Sequence, residues 1–328
     1  MAKSKNNLDI SVLIATYNRA EILRQTLENM TCLDRDGLSV ELVVVDNNSS
    51  DHTKEVIESF ADKLPIRHLF EPEPGKSRAL NYALDKVILG DIIVFTDDDI
   101  VPHKDWLTAI VSISNRWPDY SVFGGKIDLI WPKGEIPIWA QQQAIWFWAF
   151  GHHDQGKSDS HYLPRNYPSG ANFWVRRSTL SGGKRFDESV GPCSTNFKAM
   201  GTETSLLHQL VVDGYAAMYS PDAVVGHHVQ RTLLSESNIK KRAYRWGRGM
   251  PHRRTCHPTL FEKHPLMWRL LRVSSLLRHA VSYVGAMMSF SCERRIEKSL
   301  NAIVGIGHDV ESIKLAWGKS ESNSIRNK

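Results

Sequence analysis

Along its first hundred residues the chain alternates between two hydrophobic periodicities. "ISVLIATYN", "VELVVVDNNSSDHT", "IRHLFEP" and "DIIVFTDDD" are short apolar runs that each end in polar residues, and they read as buried strands. Between the first two, "RAEILRQTLENMTCL" sets Ile22, Leu23, Leu27 and Met30 at helical spacing. "HTKEVIESFADKL" and "GKSRALNYALDKV" read as further helices, the former with Ser50 or Asp51 placed to cap it. The resulting βαβαβαβ order predicts an α/β fold with a mainly parallel, doubly wound, Rossmann-like sheet.

Sheets of this kind bind ligands beyond the carboxyl ends of their strands. Here those ends carry Thr16, Tyr17 and Asn18, then Asp46, Asn47 and Asn48, then Asp97, Asp98 and Asp99. Three adjacent carboxylates repel one another, so either water solvates them in a loop or a cation compensates them. Polar residues converging from three strand ends favour a binding crevice over a solvated turn. No GxGxxG or GxxxxGKS follows the first strand, which disfavours dinucleotide oxidoreductases and P-loop NTPases. A phosphate-rich ligand would need another counter-charge, and a divalent cation on Asp99, with Asp97 nearby, would supply it. Magnesium and manganese favour such hard oxygen ligands.

Past Asp119 the periodicity weakens. Trp139, Trp146, Trp148 and Trp174 are either core residues or an apolar platform for a ring-shaped substrate. From about Arg231 the chain reads as helical throughout. Two regions follow: a binding and catalytic domain over residues 1–230 and a basic, amphipathic helical region over residues 231–328.

Composition changes this picture little. At 328 residues, 41% hydrophobic and 23% charged, the chain is an ordinary globular one with net charge +5. Cys32, Cys193, Cys256 and Cys292 are scattered without a CxxC pair, which argues against a zinc site and for a reducing compartment. The polar N-terminus does not read as a signal peptide, and no uncharged apolar run approaches the roughly 18–20 residues of a bilayer span. A cytoplasmic location is expected, at most against the inner face of the cell membrane.

Five ordered segments carry a resemblance to a known family: "VLIATYNR", "ELVVVDNNSSDHT", "PGKSRALNYAL", "DDDIVPHKDWL" and "GANFWVRRSTLSGGKRFDE". Over roughly Ile10 to Val229 the chain resembles the family-two glycosyltransferases, inverting sugar-nucleotide transferases of the GT-A fold. The resemblance implies a nucleoside diphosphate sugar donor, with UDP-sugars favoured, and Mn2+ or Mg2+ at a DxD motif formed by Asp97, Asp98 and Asp99. It implies that Asp46 reads the base. Thr16, Tyr17, Asn18, Arg19, Asn48, Lys76, Arg78, Asp97 and Asp98 then contact the nucleotide, and Asp99 binds the metal. "YSPDAVVGHHV" resembles a strand whose histidine is a further metal ligand in some members, and His227 fits that spacing.

The family's base usually lies in a Glu-Asp pair opening a helix. "GTETSLLHQLVVDGY" departs from that pattern: Glu203 stands at the catalytic aspartate's position and Thr202 at the preceding acidic one. Glu203 is therefore the expected catalytic base, with Asp187 or Glu188 as substitutes. The resemblance further implies a saccharide or lipid-linked saccharide acceptor and a role in bacterial surface polysaccharide or glycoconjugate assembly. Alternatives are a nucleotidyltransferase that makes sugar nucleotides, though "IATYNRAEIL" lacks its glycine-rich loop, and an inactive nucleotide-sugar binding protein.

The C-terminal stretch "HPLMWRLLRVSSLLRHAVSYVGAMMSF" follows the basic run Lys240–Arg254 and mixes Leu266, Leu270, Leu277 and Val281 with Arg269, Arg272 and Arg278. It reads either as a helix covering the catalytic domain or as a peripheral membrane contact. Nucleic acid is not an expected partner, because these charges follow no recognition motif.

Overall fold

The computed structural model describes residues 8–163, 166–192, 199–253, 265–289 and 291–326. Arg254, Cys193 and Cys256 lie outside the described residues, as do the side chains of Cys292 and Arg294. Two compact units form: Met1–Trp131 with Phe150–Asn196 and Thr202–Val229, and Pro132–Ala149 with Phe197–Gly201 and Gln230–Lys328.

The first unit opens with the expected alternation: β1 (Ile10–Thr16), α1 (Ala20–Met30), β2 (Val40–Asp46), α2 (Thr53–Glu58), β3 (Ile66–Phe70), α3 (Lys76–Lys86) and β4 (Ile92–Thr96). β3, β2, β1 and β4 lie side by side and parallel, with Thr16 opposite Asp46 in register. All three polar strand ends therefore share one edge. α2 is shorter than its sequence pattern predicts, and its N-cap is His52 rather than Ser50 or Asp51. Asp51 instead spans two helix starts: Oδ1 accepts from Thr53 N at 3.1 Å and Oδ2 from Ala20 N at 3.1 Å.

The sheet then changes character. β5 (Ile100–Pro102) leads into α4 (Trp106–Arg116) and β6 (Val122–Ile130). After α5 (Gln143–Phe150) and β7 (Ser160–His161) come β8 (Asn172–Arg176), α6 (Thr202–Val212) and β9 (Ala217–His228). β8 inserts antiparallel between β4 and β6, with β9 and then β5 beyond β6 and β7 on β9. Side-chain alternation feeds two cores, so Val12 and Ile14 pack on one face while Leu13 packs on the other. Trp174 is fully buried and stacked on Phe123 at 5.5 Å between centroids, which assigns it to the core. Trp139 is buried as well, and Trp146 and Trp148 are half-buried, so none of the four forms an exposed platform.

β6 and β9 run in register to Gly125 opposite Ser220, then resume with Lys126 opposite Val224. The bulge leaves carbonyls without ladder partners, and fully buried Asn172 answers them. Its Nδ2 donates to Lys126 O and Ala223 O at 2.9 Å each, while Oδ1 accepts from Trp106 Nε1 at 3.0 Å. Gly125 makes room, since a Cβ there would stand 2.3 Å from Asn172 Nδ2.

In the second unit α7 (Glu236–Gly249), α8 (Pro265–Met287) and α9 (Cys292–Arg326) pack together. Gly247 and Gly307 let α7 and α9 meet at backbone distance, because a Cβ on either would overlap the opposite helix's carbonyl oxygens. Asp309 of α9, fully buried, pairs with Arg272 and His279 of α8 at 3.2 and 3.0 Å.

Replacing Asn172 with Leu should leave two carbonyls and the Trp106 N–H unpaired in a dry site. We expect a loss of about 3 kcal/mol or more in urea unfolding, on the scale of about one to three kcal/mol per orphaned buried group. A loss under about 1 kcal/mol would mean that the bulge satisfies itself.

Candidate functional site

The turn after β4 holds the acidic run. Asp98 and Asp99 are nearly inaccessible, 3% and 4% exposed, whereas Asp97 is only partly covered. Arg19, at the N-cap of α1, answers the buried pair: its guanidinium meets Asp98 Oδ1 through Nη1 and Asp99 Oδ2 through Nη2 at 2.7 Å. Thr16 Oγ1 donates to Asp98 Oδ2 at 2.8 Å, and His227 Nε2 lies 3.1 Å from Asp99 Oδ1. His227 reaches this point because β9 pairs with β5 directly after the acidic run, Ile100 opposite His227, and His228 N donates to Asp99 O at 3.0 Å.

Electrostatics separates the two buried carboxyls. Burial pushes Asp98 up to about 6, against the pull of Arg19 and with the help of its charged neighbour Asp99. Burial also acts on Asp99, but the His227 ring and the Arg19 guanidinium together hold it well below the ordinary carboxylate range. The two share one guanidinium, and His227 favours Asp99 alone. Asp99 is thus the firmly ionised member.

Lys76 opens α3 behind Gly75, whose φ of +148° is a glycine conformation. Asn47 fixes that turn, its Oδ1 accepting from Gly75 N at 2.6 Å and its Nδ2 donating to Glu71 O and Glu73 O at 3.0 and 2.8 Å. Lys76 Nζ then bridges Asp97 Oδ1 and Glu203 Oε1. Burial alone would lower the ammonium's pKa, yet the two carboxylates hold it far above its usual range. Glu203 sits in the first turn of α6, where the helix dipole favours a carboxylate. Gly170 lies against it so closely that a Cβ would stand 2.5 Å from Glu203 Cδ.

Asp97, Asp99 and His227 each present one ligand atom, and the three atoms lie within 4.8 Å of one another. Two hard carboxylates and an imidazole fit a manganese or magnesium ion that completes its shell with other oxygens. Thr16, Arg19, Lys76, Asp97, Asp98, Asp99, Glu203 and His227 thus come together around the acidic turn. Asp46, 3% exposed, and Asn48 form the neighbouring strand end, where Asp46 Oδ1 accepts from Ser49 N at 2.9 Å. Asn18 Oδ1 accepts from Ser50 N at 2.7 Å, and both Asn18 and Asn48 take left-handed φ, 51° and 66°. Tyr17 is 40% exposed between them. Arg78 turns elsewhere, to Glu188 Oε2 at 2.9 Å. Asp187 accepts from Ser189 N at 2.8 Å.

Sequence reasoning placed Asn47 among the polar strand ends and Gly170 and Asn172 in "GANFWVRRSTLSGGKRFDE", but gave none of them an individual role. Gly170 had a signal, the glycine of "PSGANFW" just ahead of a strand. Asn47 and Asn172 act by hydrogen bonds to distant backbone, which no local pattern encodes.

Comparison with known proteins bears on this site. Residues 11–181 match the model of the family described as Glycosyl transferase family 2. Glycosyltransferase AglE of Haloferax volcanii is 30% identical over 244 residues, covering 73% of this chain and 72% of that protein. The mannosyltransferase PcManGT from Pyrobaculum calidifontis, solved in complex with GDP-Man and Mn2+, aligns with 94% of this chain and 88% of its own at TM-score 0.58 and 19% identity. S. aureus TarS 1-349 in complex with UDP aligns with 93% of this chain and 92% of its own at TM-score 0.52 and 16% identity.

Arg19→Met should strip the buried Asp98–Asp99 pair of its guanidinium and destabilise the fold by about 3–5 kcal/mol in chelator, as removal of one partner from a buried ion pair does. Manganese should restore more stability to this variant than it adds to the parent, read as the shift in Tm. Equal shifts in both proteins would place the cation away from Asp99.

Proposed function

This chain belongs to glycosyl transferase family 2, and on that premise we propose that it transfers a sugar from a nucleoside diphosphate to an acceptor hydroxyl with inversion at the anomeric carbon. The chain is a glycosyltransferase with the GT-A fold, the α/β class its hydrophobic pattern predicted. The observation that carries the finer reading is the Lys76 bridge between Asp97 and Glu203. It holds a carboxylate from α6 beside the acidic turn without a covalent tether, so a base and a donor-phosphate site stand next to each other.

In this reading Asp99, Asp97 and His227 hold Mn2+ or Mg2+, which when bound neutralises negative charge on the diphosphate. Asp46 Oδ2 accepts from a ring N–H of the base, for which uracil is our assignment. Thr16, Tyr17, Asn18 and Asn48 line the ribose and base side of the same edge, whereas Arg78 is engaged by Glu188. Glu203 accepts the acceptor's proton as that oxygen attacks in line with the departing diphosphate. Lys76 and Arg19 hold the neighbouring carboxylates in place, and they offer positive charge where diphosphate arrives. Asp98, tied to Thr16 and Arg19, positions the turn. The acceptor is a saccharide or lipid-linked saccharide of the kind used in surface glycoconjugate assembly.

Release of nucleoside diphosphate from a panel of UDP- and GDP-sugars, with manganese and with chelator, tests the reading. Glu203→Gln should retain donor binding by calorimetry while turnover falls by about a hundredfold or more, the usual worth of a general base. Turnover within threefold of the parent would move the base to Asp187 or Glu188.

The acidic turn makes a separate prediction. Asp99→Asn should abolish manganese-dependent donor binding, whereas Asp98→Asn, which removes a charge that burial already disfavours, should weaken it only severalfold. Equal losses, or full activity in chelator, would remove the metal from Asp99.

A further inference from the structure

Sugar transfer leaves one surface of the second unit unused. Along α8, Trp268, Arg272, Leu276, His279, Tyr283 and Ala286 recur every three or four residues and are buried or half-buried. This face is tied to α9 where Arg272 and His279 meet Asp309. The opposite face repeats the spacing with Leu266, Leu270, Val273, Leu277, Val281 and Val284, and each of these is 45–72% exposed. A helix covered on one side by protein should be polar on the other, and one that is apolar all round is ordinarily enclosed. At about 1.5 Å per residue the stripe runs for nearly 30 Å.

Charge selects what covers it. From residue 265 to 291 the chain carries Arg269, Arg272 and Arg278 and no Asp or Glu. Arg278 is exposed, its Nη1 donating to Ser274 Oγ at 3.3 Å. Residues 230–328 hold 19 Lys and Arg against 7 Asp and Glu, whereas residues 1–229 hold 22 against 29. The excess of positive charge is confined to the region that bears the stripe. A second copy of α8 would meet exposed Arg278 with a stripe that carries no acidic residue to answer it. Among the described residues no helix is long and apolar enough to cross a membrane. We propose that α8 lies in the surface of an anionic lipid bilayer, with its leucine and valine stripe at the acyl boundary and Arg278 at the headgroups, backed by the net positive charge of residues 230–328.

The test is co-sedimentation of the full chain with vesicles of phosphatidylcholine alone and with about one third phosphatidylglycerol. The chain should sediment with the anionic vesicles at low salt and partition roughly tenfold less in high salt. The triple variant Leu270→Gln, Leu277→Gln, Val281→Gln changes only exposed side chains, so circular dichroism and Tm should hold while vesicle binding drops by tenfold or more. No sedimentation of the parent with anionic vesicles overturns the proposal. So does undiminished binding by the folded triple variant, which would reduce the contact to diffuse charge. Sedimentation velocity without lipid adds a third outcome: a dimer that the triple variant dissociates would make the stripe an interface between copies and defeat the lipid assignment. Short RNA that competes the parent off vesicles, and that itself binds the parent but not the triple variant, would likewise assign the face to nucleic acid.

Discussion

Two carboxylates, Asp98 and Asp99, are buried side by side at the end of β4, and most of the surrounding structure follows from making that tolerable. Unpaired charges in such a site cost several kcal/mol each. Arg19 supplies the compensation, yet it stands at the N-cap of α1, where a side chain ordinarily accepts a bond from the helix. Its guanidinium is committed to the acidic turn, so α1 takes an acceptor from another loop: Asp51 Oδ2 receives Ala20 N. Asp51 simultaneously receives Thr53 N at the start of α2. One charge requirement beyond β4 is thereby coupled to the loops beyond β1 and β2, and the three strand ends form a single network.

The fourth contributor, His227, arrives by different means. β9 carries three more residues than β6 across their register shift, an odd number, so side chains beyond the bulge point to the face opposite the one a regular ladder would give them. Asn172 stabilises that bulge from β8, which pairs antiparallel with β4. A histidine placed by sheet irregularity can approach Asp99 without its own loop.

The parallel half of the fold was legible because its strands are short apolar runs, its helices keep a 3.6-residue spacing, and each strand ends in polar residues. Periodicity carries that information locally. The antiparallel half was not legible in the same way: β7 is two residues long, β8 is buried on both faces and so does not alternate, and α5 is apolar nearly all round. At the candidate site, residue identities such as Asp97, Asp99, Glu203 and His227 could be picked out from resemblance, and their clustering could be anticipated from topology. The Lys76 bridge could not, because it joins residues 127 positions apart through one flexible side chain. Arg78 shows the converse. Its place in "GKSRAL" suggested the crevice, but it lies two residues past Lys76 on α3, and a helix turns residues at that spacing to different faces. It meets Glu188 instead.

The glutamate at position 203 poses a geometric problem that the fold answers locally. A glutamate is one methylene longer than an aspartate, so from the same helix turn its carboxylate must reach farther or fold aside. Gly170, at the approach to β8, removes the side chain that would block the extra length. Lys76 then fixes where the carboxylate comes to rest, because its other partner, Asp97, is itself set by the end of β4. The bridge also constrains any chemistry. An ammonium shared between Asp97 and Glu203 is held by both charges, so drawing Asp97 toward a divalent cation changes what Glu203 must compensate. On the proposed reading, a donor-bound cation and a base coupled through one lysine would not be tuned independently, and glutamate's additional torsion would give that base freedom to adjust that an aspartate on the same turn lacks.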